Sequence, residues 1–371
     1  IKELGYTFLT ELAREIQQIQ ADPLAQFLPQ RAIQEKQIRV EWVEHNLRLL
    51  GAVKPGMPNT LNTFAKARAF TAEPAYFRRG QFIDQDTINH LRAPGTINKQ
   101  YGMDLVQEHL TDLIEQSNMM MAILRAQLFS AGSINYTDPE TGVAITAPGG
   151  VPAGNLYTIG GGVGPFGASL GWHDPAAKPV TDLHNLVFRA ELAGRNRPTH
   201  LIANGALLHV LSLNNEVRQY LPNNLSGLWH TGLVQFGEDG IPTRIAGLEI
   251  VRCSTVYDQI DPSTGVLSRQ YMFPVDTVTL FAPNHSALPG QLLGRTYLTK
   301  GEHPDGANGA TGIWVRTFPS ELMGGPTAAP GVGMQVGMSG LPVFHKPWWV
   351  HIVKCADKAA ITAITGNKFV V

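Results

Sequence analysis

Residues 160–164, of sequence Gly-Gly-Gly-Val-Gly, have the composition of a phosphate-binding loop. Such a loop needs a Lys and a Ser or Thr, or the start of a helix, directly after the glycines, because these groups bind the phosphate oxygens. Here Pro165 follows the glycines, and no Gly-Lys-Ser or Gly-Lys-Thr sequence is present. The pattern therefore favours a tight bend between strands over a nucleotide site.

The histidines and cysteines do not have the spacing of a metal or nucleophilic site. Two histidine pairs lack both helical ligand spacing and a neighbouring carboxylate pattern: His200 with His209, and His345 with His351. Cys253 and Cys355 lie far apart, form no Cys-x-x-Cys pair and have no local nucleophile signature. We therefore expect reduced thiols, no metal, no cofactor and no catalytic site.

Two sets of charged residues leave alternatives open. Asp258 and Asp261 flank a turn, where Asp is favoured for backbone reasons, so an acid–base pair is the less favoured interpretation. Arg68, Arg78 and Arg79 lie in extended sequence, where they could contact phosphate or an acidic neighbour, or could lie on a solvated strand face. The sequence weighs these two interpretations about evenly.

The composition limits the function classes. The 371 residues are 43% hydrophobic and only 16% charged, against about 25% charged in a typical soluble domain. The low charge favours a surface covered by other copies of the chain, with a large ordinary core as the alternative. The formal net charge of −1 argues against a protein whose main function is to bind nucleic acid. We expect no membrane span and no signal peptide, since no apolar run reaches about 18 residues.

One long helix is clearly encoded between residues 100 and 132. Its apolar positions follow the helical period, with Ser117 in the one gap: Val106, Leu110, Leu113, Met120, Leu124 and Leu128. Asp104 and Glu108 lie near the expected start, where the helix dipole favours negative charge, and Gly132 is placed for a left-handed C-cap. We predict one continuous helix over residues 103–129 that lies across the subunit.

The sequence before this helix predicts an arm and an extended hairpin. Residues 4–19 can form an amphipathic helix that Asp22-Pro23 ends. Alternating strands begin at Ile38 and recur at residues 64–70. Such a hairpin cannot bury itself and needs a partner surface. We therefore expect residues 38–83 to project from the body and to pack on a neighbouring subunit.

The sequence after this helix is typical of an α/β segment. Asp182 and Asn204 are candidate N-caps of two helices, the first of which Gly194 ends. Short strands are predicted in this segment and after it, at residues 200–203, 248–253, 275–281, 312–317 and 349–356. Residues 301–340 are rich in Gly and Pro and predict an ordered excursion or a flexible binding loop.

The order of these elements resembles the major capsid proteins of tailed phages, specifically the lambda-type capsid family, which shares the Hong Kong 97 capsid fold with encapsulins. The resemblance rests on many weak features in the same order over nearly the whole chain. These features are Asp22-Pro23-Leu24 after the arm, the extended loop at residues 38–83, the helix and Tyr strand at residues 103–136, Trp172 before Asp182-Leu183, the strand and helix at residues 199–221 with Val217 and Leu221, the strand at residues 274–280, and the last segments at residues 348–356 and 359–371.

The resemblance implies an α+β protein with the Hong Kong 97-type capsid fold. That fold has an N-terminal arm, an extended β-hairpin loop, a peripheral domain with a long spine helix, and an axial α/β domain. The implied bounds are residues 1–37 for the arm, 38–92 for the loop, 93–172 for the peripheral domain, 173–339 for the axial domain, and 340–371 for the return strands.

The resemblance also implies a function by assembly. Copies of the chain would form hexamers and pentamers of an icosahedral shell that encloses double-stranded DNA without tight specific binding. The shell would be a virion capsid assembled in the cytoplasm of a host bacterium, with a decoration protein, a scaffold and a portal as further partners. The expected inter-subunit contact residues are Arg68, Phe70, Arg78 and Arg79. The alternatives are an encapsulin-type cellular compartment shell and, less favoured, an α/β enzyme or ligand-binding protein.

Overall fold

The computed structural model describes residues 13, 22–35, 37–43, 67–84, 97–139, 141–160, 166, 169–194, 196–220, 233–260, 266–284, 290–301, 311–319 and 331–365. Within these residues the α-helices are α1 (Ile97–Ala131), α2 (Pro179–Gly194), α3 (Gly205–Leu213), α4 (Asn215–Gln219) and α5 (Lys358–Thr365). The strands are β1 (Gln30–Ala32), β2 (Ile38–Val43), β3 (Ala67–Ala72), β4 (Ala75–Asp84), β5 (Ser133–Thr137), β6 (Ala144–Pro148), β7 (Leu156–Thr158), β8 (His200–Ala203), β9 (Val234–Phe236), β10 (Pro242–Ile245), β11 (Leu248–Arg252), β12 (Val256–Ile260), β13 (Leu267–Tyr271), β14 (Thr277–Phe281), β15 (Gly294–Leu298), β16 (Ile313–Pro319), β17 (Gly331–Phe344) and β18 (Val350–Lys354). The helix predicted for residues 4–19 lies outside the described residues, apart from the buried Ala13.

The long helix α1 is continuous over 35 residues, about 50 Å at 1.5 Å per residue, and includes the whole predicted range. The helix begins at Ile97, so Asp104 lies two turns inside it. The sequence-based placement of Asp104 near the start of the helix is therefore wrong. The predicted C-cap is confirmed, because Gly132 has φ 70° and its N–H donates to the carbonyl of Leu128.

The two halves of α1 are buried differently. In the first half one face is buried, through Val106, Leu110 and Leu113, and Ser117 fills the gap in this face by bonding the Leu113 carbonyl at 2.9 Å. From residue 121 to residue 126 every side chain is buried, so this part of α1 crosses the interior of the subunit. Its side chains are apolar apart from Arg125, which is paired with Asp22 inside the core, and a helix segment with apolar side chains on nearly all sides is typical of such a position.

A five-stranded sheet lies against the first half of α1. Its central strand is β17, which is 14 residues long. β15 and β16 pair with successive stretches of one edge of β17, and β4 pairs antiparallel with the other edge. The core between this sheet and the helix consists of Val106, Leu110, Leu113 and Ile114 against Ile83, Ile313, Val315, Met334 and Val336.

The structure has strands in residues 301–340, where the sequence predicted an ordered excursion or a flexible binding loop. The glycines of β17 suggested a loop, yet here they allow close packing within a sheet. A Cβ on Gly337 would lie 2.3 Å from the ring of Trp314, which is buried on the neighbouring strand. Residues 313–319 and 331–340 are therefore strand, whereas residues 302–310 and 320–330 lie outside the described residues.

A seven-stranded sheet forms the second half of the described fold, in the order β7-β18-β14-β8-β11-β10-β9. The strands predicted around residues 200–203, 248–253, 275–281 and 349–356 all lie in it. Successive side chains of β8 face opposite ways, so Leu201 packs with α2 and α3, whereas Ile202 packs with the C-terminal end of α1. Thr279 of β14 ties the sheet to α1 by donating to the Phe129 carbonyl at 2.7 Å.

One predicted N-cap is confirmed and the other is wrong. Asn204 caps α3, because its side chain accepts from the Ala206 N–H. Asp182 lies inside the first turn of α2, which begins at Pro179, and instead accepts the Trp172 indole N–H at 3.1 Å. The N–H groups at the start of α2 are satisfied by Glu216 of α4, whose carboxylate lies 2.7 Å from the Val180 nitrogen.

The sheets group the chain differently from the predicted domains. β15, β16 and β17 share a sheet with β4 and a core with α1, whereas the sequence placed most of these residues with β8 and β11. The predicted bounds themselves remain predictions. None of the helices in the described part of the chain is both long and apolar enough to span a membrane.

Candidate inter-subunit contact sites

The base of the predicted loop is a two-stranded hairpin of β2 and β3. Its inner face is buried or half-buried through Ile38, Val40, Trp42, Phe70 and Ala72. These side chains pack into the subunit's own core. The surface that the hairpin needs is therefore its own subunit, and the prediction that these strands project from the body and pack on a neighbouring subunit is wrong for the described residues. Residues 44–66, between the two strands, lie outside the described residues.

Trp42 fixes this hairpin to the subunit. Its indole N–H donates to the carbonyl of Phe344 at 2.9 Å, and its ring lies 4.7 Å from the ring of Phe70. Gly150, with φ 73°, passes beneath the indole, where a Cβ would lie only 2.4 Å from the ring. Glycine is required at this position both by the backbone conformation and by the close approach.

Phe70 and Arg68 lie two residues apart on the same face of β3. Phe70 is half-buried against Trp42, so much of its ring is already used within its own chain. Arg68 is exposed and lies opposite Trp42 at the outer end of the hairpin. Of these two predicted contact residues, Arg68 is the more accessible to a neighbouring subunit.

Arg78 and Arg79 are adjacent in β4, and both are exposed. Because side chains alternate along a strand, they lie on opposite faces of the sheet. A hydrogen bond of 2.7 Å joins Gln81 to His109 of α1, which shows that Arg79 lies on the face turned towards α1. Arg78 lies on the other face. The structure thus brings Arg78 and Arg79 together on one strand but gives them different surroundings.

The strand β4 forms an edge of the five-stranded sheet. It is ten residues long and pairs along its whole length with β17, while no other described strand pairs with its second side. Two of its aromatic side chains, Tyr76 and Phe82, are 48% and 37% exposed. A long edge strand with accessible backbone groups is a template for pairing with another chain.

The two thiols lie in surroundings that suppress their reactivity. Cys253 and Cys355 are both buried and free. Burial raises the pKa of Cys253 to about 12 and raises the pKa of Cys355 well above its usual value, and nearby carboxylates act in the same direction. Because the thiolate is the nucleophile, neither cysteine is set up for catalysis.

A Gly-x-Ser-x-Gly pattern, which sequence reasoning missed, occurs at residues 167–171. Its serine, Ser169, donates to the carboxylate of Asp182 at 3.3 Å and is not followed by a helix until Pro179. A nucleophile elbow places the serine on a strand-to-helix turn next to a histidine base. Burial raises the pKa of Asp182, and this carboxylate serves to hold Trp172 and Ser169 in place.

The remaining candidate groups for chemistry are also structural in character. Burial lowers the pKa of both His345 and His351 to about 4, so both are neutral at physiological pH. Asp258 pairs with Arg269 across the β12–β13 hairpin, at 2.9 Å, and Asp261 lies outside the described residues. Within the described ranges no three His, Cys, Asp or Glu side chains are grouped in a way that could hold a metal.

A buried ion pair was not visible in the sequence. The guanidinium of Arg125, in α1, lies 2.6 Å from the carboxylate of Asp22, and the two side chains are 0% and 7% exposed. Arg125 also donates to the hydroxyl of Thr296 in β15. Burial lowers the pKa of Arg125 and Asp22 opposes this shift. Asp22 thus anchors the chain that follows it on α1.

Comparisons with known proteins show which family and which fold this chain resembles. The model of the family described as phage major capsid protein E matches residues 8–293. A capsid protein of a prophage of Escherichia coli CFT073 has a similar structure, with a TM-score of 0.61 and 13% identity over 95% of this chain and 99% of that chain. A phage-related protein from Bordetella bronchiseptica RB50 has a TM-score of 0.55 and 12% identity over 93% and 96% of the two chains. A comparison with curated protein sequences found no match.

The chain belongs to the phage major capsid protein E family. The Hong Kong 97-type capsid fold implied by the sequence is confirmed, and the protein is a structural subunit of a capsid shell rather than an enzyme. It self-associates in multi-copy shells, and its location is the virion capsid. The family match favours this function over an encapsulin-type compartment and over an α/β enzyme.

Proposed function

We propose that copies of this chain form hexamers and pentamers that close into an icosahedral shell around double-stranded DNA, in the cytoplasm of a host bacterium. The observation that carries the proposal is the exposed edge strand β4, which has arginines on both faces and a second side that no described strand covers. A subunit that functions alone would blunt such an edge. A subunit that functions in a shell uses it for contact with other copies.

The contact residues follow from this placement. Arg68, Arg78 and Arg79 bond to acidic residues of adjacent copies, and the exposed part of the Phe70 ring lies in the same interface. Arg68 lies at the outer end of the β2–β3 hairpin, whereas Arg78 and Arg79 lie on the edge strand.

The domain division follows the sequence-based bounds with one change. The arm covers residues 1–37, the loop residues 38–92, the peripheral domain residues 93–172, the axial domain residues 173–339, and the return strands residues 340–371. The described residues between 290 and 344 are better counted with the peripheral domain, because β15 to β17 share a sheet with β4, and β16 and β17 share a core with α1.

Further partners belong to the same proposal. A scaffold and a portal would act during assembly, and a decoration protein would bind the outer surface of the finished shell. DNA would be held by enclosure, since the formal net charge of −1 gives the chain no strong basic footprint.

Electron microscopy of the purified full chain tests this function. The expected result is closed particles whose reconstruction shows six-fold and five-fold clusters of subunits. Particles isolated from an infected or induced host should protect double-stranded DNA from nuclease. Soluble monomers that never close into shells under any assembly condition, or particles whose nucleic acid is fully digested, would contradict the proposal.

A further inference from the structure

The four most exposed large apolar side chains in the described part of the chain form two pairs. One pair is Phe188 and Leu192, which are 62% and 71% exposed, and the other is Val266 and Leu267, which are 61% and 66% exposed. The next, Val143, is 59% exposed and stands apart from both pairs in the sequence. Apolar side chains grouped on a surface mark a contact with another molecule more often than scattered ones do.

The first pair lies on α2. Phe188 and Leu192 are four residues apart, so they are neighbours on the same helical face. The opposite face of α2 is buried against the seven-stranded sheet through Leu183, Leu186 and Val187. The outward face of α2 therefore carries an apolar contact surface at its C-terminal end, and no other described element covers it.

The second pair lies where β13 begins, at the free end of the β12–β13 hairpin. These two strands pair only with each other among the described strands. The hairpin is held together across its strands by Asp258 with Arg269 at 2.9 Å and by Tyr257 with Gln270 at 3.2 Å. The base of the hairpin packs on its own subunit through Tyr257 and Tyr271, whereas its far end gains from a further surface, because a two-stranded hairpin is marginally stable at best in water.

The two pairs belong to opposite ends of the strands in the seven-stranded sheet. α2 ends shortly before β8 begins, and Glu191 bonds Arg197 in the connection, so Phe188 and Leu192 lie towards the start of β8. The hairpin leaves the sheet just after β11, which runs parallel to β8, so its base lies at the other end of these strands. A head-to-tail contact joins two different surfaces of the same chain, as these two are, whereas a two-fold contact uses one surface twice.

We propose that Val266 and Leu267, at the start of β13 of one copy, pack on Phe188 and Leu192 of the next copy. This contact rests on the proposed hexamers and pentamers, because a head-to-tail contact that closes generates a ring. A second copy is the occupant because the family assembles from many copies and each copy carries both halves of the contact. In the ring every helix surface is covered and every hairpin gains a support.

A charge-exchange experiment tests the contact directly. Leu192→Glu alone and Leu267→Lys alone each place a charge in an apolar interface, and each should lower the yield of closed shells at least tenfold. The double variant places Glu opposite Lys at every contact, and it should recover at least about half of the parental yield. Leu192→Met and Leu267→Met keep the apolar surface and serve as matched controls that assemble like the parent. Both positions are exposed, so circular dichroism should show the same fold in all variants.

Three outcomes overturn the proposal. Full assembly of both single charge variants would show that neither surface lies in an interface. Loss in both singles without recovery in the double would show that the two surfaces bind other occupants, such as a decoration protein. If the parent itself forms no shells, the proposed function fails, and a variant with Leu192→Cys and Leu267→Cys still tests the contact. Absence of an inter-copy disulfide ladder in that variant, under oxidation of any oligomers present, would then refute it.

Discussion

At the scale of single residues, the pair of Arg125 and Asp22 has the largest predicted effect on stability. It joins the N-terminal segment to α1 inside the subunit, at 2.6 Å, and Thr296 adds a third contact. Asp22→Asn would leave the guanidinium charge buried without a counter-charge. We expect this change to lower the free energy of unfolding by about 3–5 kcal/mol, measured by denaturant titration of the unassembled subunit.

Two controls separate this effect from a general loss of charge. The double variant Asp22→Asn with Arg125→Met removes the buried charge altogether, and it should lose less stability than Asp22→Asn alone. The exposed pair of Arg39 and Glu41 offers a surface comparison, and Glu41→Gln should change the free energy of unfolding by less than about 1 kcal/mol. A loss below about 1 kcal/mol in Asp22→Asn would show that the pair contributes little.

His351 makes the stability of the subunit depend on pH. Its ring is buried against Tyr157, neither ring nitrogen has a hydrogen-bond partner among the described residues, and burial lowers its pKa from 6.5 to about 4. The unfolded chain therefore binds a proton at pH values where the folded chain does not. The contribution of the neutral His351 ring to the free energy of unfolding is fully present above about pH 6.5 and is lost as the pH falls towards 4.

We expect His351→Phe to flatten this pH dependence, because Phe keeps the stacking and cannot be protonated. Between pH 7 and pH 4.5 the parent should lose about 2 kcal/mol more stability than the variant, on the basis of 1.36 kcal/mol per pKa unit. Denaturant titrations at both pH values measure the difference. Equal losses in the two proteins would show that His351 finds a proton-accepting partner or solvent.

The arginines of the proposed interface are tested in shell assembly rather than in stability. The triple variant Arg68→Ala, Arg78→Ala and Arg79→Ala should strongly reduce shell yield, because one lost partner of a partly buried interfacial ion pair costs about 2–5 kcal/mol. Each contact is repeated many times in a shell, which multiplies the effect. Arg244→Ala, at an exposed position of the seven-stranded sheet, is the control. Normal particle counts for the triple variant in electron micrographs would refute the role.

At the scale of elements, α1 is the part of the fold with the clearest energetic test. Leu113 and Leu124 lie on its buried faces, in two different clusters, at 2% and 0% exposure. Leu→Ala at either site should cost about 2–5 kcal/mol, since it leaves a cavity in close-packed surroundings. Gln116→Ala, on the exposed face, should stay within about 0.5 kcal/mol. Thermal unfolding followed by circular dichroism measures all three, and a small loss at Leu124 would show that this part of the core can collapse around the cavity.

The elements that could be predicted from the sequence are those with local signals. α1 has an unbroken helical period and a glycine at its end, and α3 has an asparagine cap whose bond lies within two residues. β17 was missed, although Met334, Val336 and Met338 alternate in it, because its glycines are also typical of loops. Those glycines are explained only by a neighbouring strand, since Gly337 makes room for the Trp314 ring.

At the scale of the whole molecule, the order of elements indicated the fold, while long-range contacts stayed hidden. The β2–β3 hairpin was predicted to pack on a neighbouring subunit. Its sequence shows the alternation of side chains along the two strands but not the distant residues of the same chain on which they pack. Its anchor is the bond from Trp42 to the carbonyl of Phe344, 302 residues away. Of the predicted contact residues, Arg68, Arg78 and Arg79 are exposed, whereas Phe70 is half-buried in its own subunit. The sequence did not indicate that the apolar pairs on α2 and β13 would be exposed, because periodicity alone does not show which apolar residues stay on the surface.

The near-neutral charge of the whole chain leads to the last prediction, which concerns packaged DNA. With 29 basic and 30 acidic residues, the subunit has few phosphate contacts to offer, and counterion release supplies most sequence-independent affinity. We expect the unassembled subunit to bind duplex DNA more weakly than about 10⁻⁶ M at physiological salt, as measured by fluorescence anisotropy with a labelled duplex. A titration repeated at lower salt should show only a shallow change in affinity, because the slope reports the number of phosphates neutralised. Sub-micromolar binding with a steep salt dependence would contradict enclosure without binding and would require a basic face on the shell interior.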